Sequence, residues 1–365
     1  MRTPGARSTP TWLSTCNGLS SIRERQGGWS TLVHMTYVYL ILALALILAS
    51  AEFFTNAVEW FGRRYELGEG AVGSILAAVG TAMPETLVPI IAIIFTAGEA
   101  SEEVGVGAIL GAPFMLSSLA MLVTGTAVVV FALRKRRTFV VTVNEPVMRR
   151  DTSHFLIAYA VAMGAGMLSL GEGVRIAVAV ALILFYAYYV WETLHSEGDL
   201  GEDTKPLYFH RHPVMPHRHR IFLQMFAAIA GIIIGASVFV REVQVVSASL
   251  GVSALLVSLL ITPIATELPE KFNSVLWIGQ RKDTLALGNI TGAMVFQSTF
   301  PVSVGLMFTT WQLDEVGLVS GLLALISGVY FYLTLRFRHK LHWWSLILAG
   351  TLYGAYLVYV FGFQV

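Results

Sequence analysis

Apolar stretches about as long as a bilayer crossing, roughly 20 residues, recur along almost the whole sequence after residue 35. In hydrocarbon each backbone N–H and C=O must find its partner inside the protein, so these stretches are expected as transmembrane helices. Ten candidate spans can be drawn, over 36–60, 70–95, 103–130, 154–170, 173–193, 221–241, 248–278, 284–309, 315–335 and 343–363. The composition agrees, with 55% of residues hydrophobic and 13% charged, far from a soluble domain. A polar segment, 194–220, separates one five-helix unit, 31–193, from a second, 221–365. Residues 1–30, rich in Ser, Thr, Gly and Arg, read as a disordered tail or as sequence upstream of a true start at Met35. The fold class expected is therefore an all-α membrane protein.

Two spans are interrupted by a proline followed by a glutamate. Ile261 to Val304 contains Glu267, Leu268, Pro269 and Glu270, and Gly80 to Val88 contains Pro84 and Glu85. Proline removes a backbone donor and crowds the preceding turn, so spans two and seven are expected to be kinked or broken. A carboxylate beside such a break, at membrane depth, is costly unless something uses it. One such glutamate could simply sit at a half-helix N-terminus, where the dipole favours negative charge. A pair of them, one in each half, points to transport.

Basic residues orient the chain. Arg63, Arg64, Arg134, Lys135, Arg136, Arg137, Arg149, Arg150, Lys205, Arg211, Arg218, Arg220, Arg281, Lys282, Arg336, Arg338 and Lys340 follow the odd-numbered spans. The opposite loops hold Glu99, Glu102, Glu103, Glu172, Asp314 and Glu315, with only Arg175 and Arg241 among them. The positive-inside rule then puts both termini outside and 194–220 in the cytoplasm of a multi-pass cell-membrane protein. An odd number of spans per half makes the halves cross in opposite senses. That is the inverted-repeat plan, in which interrupted helices meet at a midplane site. The third spans of the two halves, 104–118 and 285–299, carry Gly107, Gly111, Gly288 and Gly292, small residues that let two backbones approach closely.

On these residues the chain resembles the calcium/cation antiporter superfamily, whose best-known members are the sodium/calcium exchangers. The signature there is a repeat in each half, Gly-Thr-Ser-Leu-Pro-Glu, then, a span later, Gly-Asn-x-x-Gly-Ser-Asn-x-x-Asn or Asp. The first half keeps Gly80, Thr81, Pro84 and Glu85; the second keeps Thr266, Pro269, Glu270, Gly288, Asn289 and Gly292. The resemblance implies that Glu85 and Glu270 bind the transported cation and that Thr81 and Thr266 add oxygens. Departures fall at Ala82 and Glu267, where the family has serine, and at Ala112 and Ala293, where it has serine again. Leu116 and Gln297 stand where an asparagine or aspartate would complete the site. Several oxygens that would hold sodium are missing, while the antiporter scaffold is intact.

Calcium takes about six to eight hard oxygens. Glu85, Glu267 and Glu270 could supply carboxylates and Thr81, Thr266 and Gln297 neutral oxygens. Asn289 is either a further ligand or an amide that satisfies backbone. Three carboxylates leave one negative charge in excess over a divalent ion, and desolvation with a like-charged neighbour favours protonation. A proton is thus the expected counter-ion, shared by Glu267 and Glu270 on one helical face. Lys271 could instead pair with Glu267, or with Glu52 or Glu59, and Gln297 could be interhelical glue. The partners expected are Ca2+, H+ or Na+ and membrane lipid, with manganese or potassium fitting the same frame. No resident cofactor is expected.

Other classes find little support. No basic patch interleaved with aromatics suggests nucleic acid, and a single cysteine, Cys16, excludes thiolate metal sites. No lysine is followed by Ser or Thr, no aspartate precedes a lysine, and no histidine precedes a glutamate. Those absences remove phosphate loops, phosphorylated-aspartate pumps and the usual zinc proteases. An intramembrane enzyme is therefore disfavoured; a cation channel or a Na+/H+ antiporter on the same scaffold is the alternative. His210, His212, His217 and His219 in the central segment read as a solvated loop, with metal or pH sensing as the other reading.

Overall fold

A computed structural model describes residues 12–64, 83–96, 98–168, 170–195, 207–209, 216–338 and 341–363. The side chains of 12–34, 268–273 and a few single residues fall outside that description. In chain order the helices are α1 (Trp12–Arg64), α2 (Met83–Ile90), α3 (Glu99–Ser117), α4 (Leu119–Leu133), α5 (Glu145–Met167), α6 (Glu172–His195) and α7 (Arg218–Leu250). The second part continues with α8 (Ala254–Gly279), α9 (Asp283–Gln297), α10 (Phe300–Phe308), α11 (Glu315–Arg338) and α12 (Trp343–Phe363). Among the described residues seven helical stretches are long and apolar enough to cross a membrane, and Pro84–Phe95 and Ala254–Ile264 are shorter apolar helices. The protein is a multi-pass helical membrane protein.

Local chemistry sets the helix ends. The Asn144 side chain caps α5 by accepting from the Val147 N–H at 3.3 Å, with Pro146 in the first turn. Ser253 caps α8 through the Leu256 N–H at 3.2 Å. Glu103 of α3 adds a carboxylate that accepts from the N–H groups of Ala254 at 3.0 Å and Leu255 at 3.4 Å. The free donors at the start of α8 are thus satisfied by the opposite half of the chain.

The third spans, expected as single helices, are each broken, and at matching residues. Ser118 (φ −117°, ψ −77°) separates α3 from α4, and Thr299 (φ −116°, ψ −74°) stands at the start of α10. Ser117 and Ser118 both donate to the Phe114 carbonyl, Ser117 at 3.2 Å. Ser298 at 3.0 Å and Thr299 at 2.8 Å both donate to Val295. Such hydroxyl back-bonding competes with the helical ladder and bends it. The same device at register-equivalent places is the backbone signature of the internal repeat.

The proline interruptions take two forms. In the first half α2 passes Pro89 and widens into a π-helical turn, Ile91–Phe95. In the second, α8 stays helical from Ala254 to Gly279 through Pro263 and Pro269. The interruption expected there is a loss of backbone hydrogen bonds inside a continuous helix rather than a gap. Pro263 cannot donate to Leu259, and the freed Leu259 carbonyl lies against Gly111. A Cβ at Gly111 would sit 2.2 Å from that oxygen, and one at Gly107 2.4 Å from the Leu255 carbonyl. Glycine four residues apart on α3 therefore lets it lie directly on the backbone of α8. Gly288 and Gly292 on α9 meet only side chains among the described residues, Met148 at 3.5 Å and Tyr189 at 3.7 Å.

Most helices share one apolar core that includes Leu110, Phe114, Phe155, Leu259, Ile290 and Tyr356. The α1–α7 pair stands beside it and packs chiefly on itself. Gly231 lies against Ser50, and Gly235 against the Ala43 carbonyl and Ile47. At one end of the bundle, Arg137 grips Asp283 with two bonds, at 2.7 and 2.8 Å, and also donates to the Ile278 carbonyl at 2.9 Å. The pair is buried, and Asp283 also accepts from the Thr142 N–H at 2.9 Å. Beside it a short antiparallel pairing joins β1 (Val140–Val141) to β2 (Leu341–His342). Asp151 on α5 ties α6 and α9 together, accepting from Tyr189 at 3.1 Å and Thr291 at 2.9 Å.

Candidate cation site

The elements carrying the candidate residues pack together at the centre: α2 on α3, α8 and α10, and α8 on α3 and α9. Glu85 is in the first turn of α2 and 3% exposed, next to buried Thr86. Thr81 and Gly80 precede α2 and lie outside the described residues. Glu267, on α8, is 2% exposed. Two carboxylates are thus taken out of water on two interrupted helices, one from each half. That is affordable only with compensating charge, proton or ion.

The interior face of α8 carries a run of hydroxyls. Ser258 donates to the Val104 carbonyl at 2.6 Å and lies 3.0 Å from the Thr262 hydroxyl. Thr266 donates to the Thr262 carbonyl at 2.9 Å. All three are buried, and Glu270 takes the next position at the same four-residue spacing, its side chain outside the described set. Ser258 and Thr262 form no part of the family signature; serine and threonine at every fourth position of an apolar helix were the available signal. The stripe presents hydroxyl oxygens along one face of α8.

Gln297 ends α9 at the break, and it is 0% exposed. Among the described residues neither its amide oxygen nor its amide nitrogen has a hydrogen-bond partner. Buried polar groups in folded proteins are almost always bonded, so an orphaned carboxamide marks a place that something else fills. Asn289 sits eight positions earlier on the same helix and is half-buried. A rise of about 1.5 Å per residue puts it roughly 12 Å from Gln297 along the axis. Leu116, the counterpart of Gln297 in the first half, is fully buried and offers no oxygen. Among the described residues no three His, Cys, Asp or Glu side chains gather as a metal cluster. Any ion here would be shared between few carboxylates, hydroxyls, an amide and freed carbonyls.

The sodium/calcium exchanger protein family matches residues 35–194 and 220–362. The inner membrane protein YrbG of Escherichia coli strain K12 is 23% identical over 283 residues, 76% of this chain and 81% of that one. Among solved structures, the H+/Ca2+ exchanger CAX superposes with a TM-score of 0.70 at 15% identity, covering 89% of this chain and 82% of its own. The sodium-calcium exchanger NCX_Mj gives 0.57 at 17% identity, covering 91% and 100%. Those likenesses show the inverted-repeat fold of the exchangers. With both halves matched, the chain belongs to the sodium/calcium exchanger family of cation antiporters.

Proposed function

We propose that this protein is a secondary-active antiporter exchanging Ca2+, or a similar cation, for H+ or Na+ by alternating access. The ion binds between two five-helix repeats, 31–193 and 221–365, near the middle of the bilayer. Gln297 carries the reading: a fully buried carboxamide with both polar atoms unpartnered among the described residues is costly unless a ligand offsets it. Glu85 and Glu270 are the charged ligands, and Thr81, Thr266 and Gln297 give neutral oxygens. Asn289 is either a further ligand or an amide that satisfies backbone.

Glu267 distinguishes this chain. It adds a buried carboxylate where the family signature has serine, which favours a proton over sodium as the counter-ion, shared with Glu270. Both termini lie outside the cell membrane and 194–220 in the cytoplasm, on the basic-residue pattern. A transport protein with this site needs no catalytic residue and no resident cofactor.

An ion-by-ion flux panel on purified protein in liposomes tests the reading, for wild type and Glu270→Gln. Saturable, gradient-driven Ca2+ uptake that the variant loses is the expected result. Uptake driven equally well by a sodium gradient at fixed pH on both sides would refute proton coupling. Single-channel currents in place of saturable exchange would favour the channel alternative.

A further inference from the structure

Asp151, near the start of α5, is a buried carboxylate that the proposed ion site does not use. Arg150 donates to its Oδ1 at 3.1 and 3.3 Å, and the Tyr189 hydroxyl of α6 donates to the same oxygen at 3.1 Å. The other oxygen, Oδ2, accepts from the Thr291 hydroxyl of α9 at 2.9 Å. Thr291 is itself fully buried, and a hydrogen bond to a carboxylate away from water is among the stronger ones a side chain makes. Along α9 other ties lie earlier, at Asp283, Thr284 and Ala286. Among the described residues the Thr291 bond is the last one from a side chain that joins α9 to another helix before Gln297.

Gln297 is the last residue of α9, with the break at Thr299 just beyond it. The direction of its carboxamide therefore follows how α9 is turned about its own axis. At about 3.6 residues per turn, Gln297 lies roughly 9 Å along the axis and about 120° round it from Thr291. Pinning Thr291 to α5 thus sets where a different face of the helix points. In the register that pairs Ser118 with Thr299 and Leu116 with Gln297, Leu110 takes the place of Thr291 and has no hydroxyl. The tie accompanies the carboxamide and is missing in the half that lacks one. We propose that Asp151 and Thr291 are positioning residues for cation binding: their bond fixes the rotation of α9 that aims Gln297 at the ion. The proposal rests on the reading in which Gln297 is a ligand, and neither positioning residue touches the ion itself.

Isothermal titration of the purified protein in detergent, with Ca2+ and in a second arm Mn2+, tests the anchor. Thr291→Val keeps the volume and removes the hydroxyl, and it raises the dissociation constant roughly threefold or more, the effect of one lost hydrogen bond. Asp151→Ala, which removes the acceptor, moves it in the same direction. Thr291→Ser keeps the hydroxyl and stays within about twofold of wild type. In a Gln297→Leu background no carboxamide is left to aim, so Thr291→Val shifts the constant by less than about twofold. An unchanged constant in Thr291→Val or Asp151→Ala overturns the anchor. So does an equal loss in both backgrounds, since a general weakening of the fold is additive with Gln297→Leu. Wild type that binds neither cation would instead remove the ligand reading of Gln297, and the anchor with it.

Discussion

Replacing Gln297 by leucine separates a site built for a ligand from one built for stability. The side chain is 0% exposed and both amide atoms lack partners among the described residues, so the protein without its ion carries the desolvation cost of a bare carboxamide, about 1–3 kcal/mol. Leucine is of similar volume and already fills the equivalent place at Leu116, so Gln297→Leu removes that cost with little cavity or overpacking. Thermal unfolding in detergent without divalent ions should therefore show the variant more stable, by about 1–3 kcal/mol. Adding calcium reverses the order. Wild type gains RT ln(1 + [L]/Kd), about 2.7 kcal/mol at a hundred times Kd. The variant, short of one oxygen, binds roughly tenfold more weakly or worse and gains correspondingly less. Stability and transport thus move in opposite directions on one substitution. A variant that is destabilised without ions yet keeps wild-type calcium stabilisation would refute the reasoning and make Gln297 ordinary interhelical glue.

Further outcomes follow from the packing. Arg137→Met leaves Asp283 buried without its bidentate partner, which should cost about 3–5 kcal/mol in thermal unfolding. Arg137→Met combined with Asp283→Leu should recover most of it, which a double-mutant cycle measures. Gly111→Ala drives a methyl to 2.2 Å from the Leu259 carbonyl, so α3 and α8 must separate at a cost of about 1–3 kcal/mol. Gly164→Ala meets nothing within 4 Å among the described residues and should be neutral or stabilising by up to about 1 kcal/mol, as helix propensity dictates. Glu85→Gln, at a buried position of α2, is expected to abolish gradient-driven exchange in liposomes, because a charged ligand of the proposed site is removed.

Long periodic signals made the helices readable. The apolar runs, the two Pro-Glu segments and the Gly107–Gly111 spacing are local, and each has a direct physical consequence at the backbone. The breaks at Ser118 and Thr299 were hidden because serine and threonine in an apolar run carry no clear helix-ending signal; only their bonds to Phe114 and Val295 show it. The proline at 269 was legible as a disturbance but not as one that α8 absorbs while staying helical. Arg137 with Asp283, and Tyr208 with Asn56, join residues far apart in sequence, which no window of residues can reveal. For the candidate site, residue identities could be read from the chain, whereas the orphaned state of Gln297 needed three dimensions.

The matched angles at Ser118 and Thr299 bear on energetics as well as ancestry. Under the alternating access proposed above, a doubled chain path would let the molecule invert its mouth from one side of the bilayer to the other by trading the shapes of its halves. With leucine lining one half and a carboxamide the other, the traded states are no longer mirror twins and need not be equally populated. Such a carrier can run faster in one direction than in the other, while the balance point of transport still obeys the ion gradients alone.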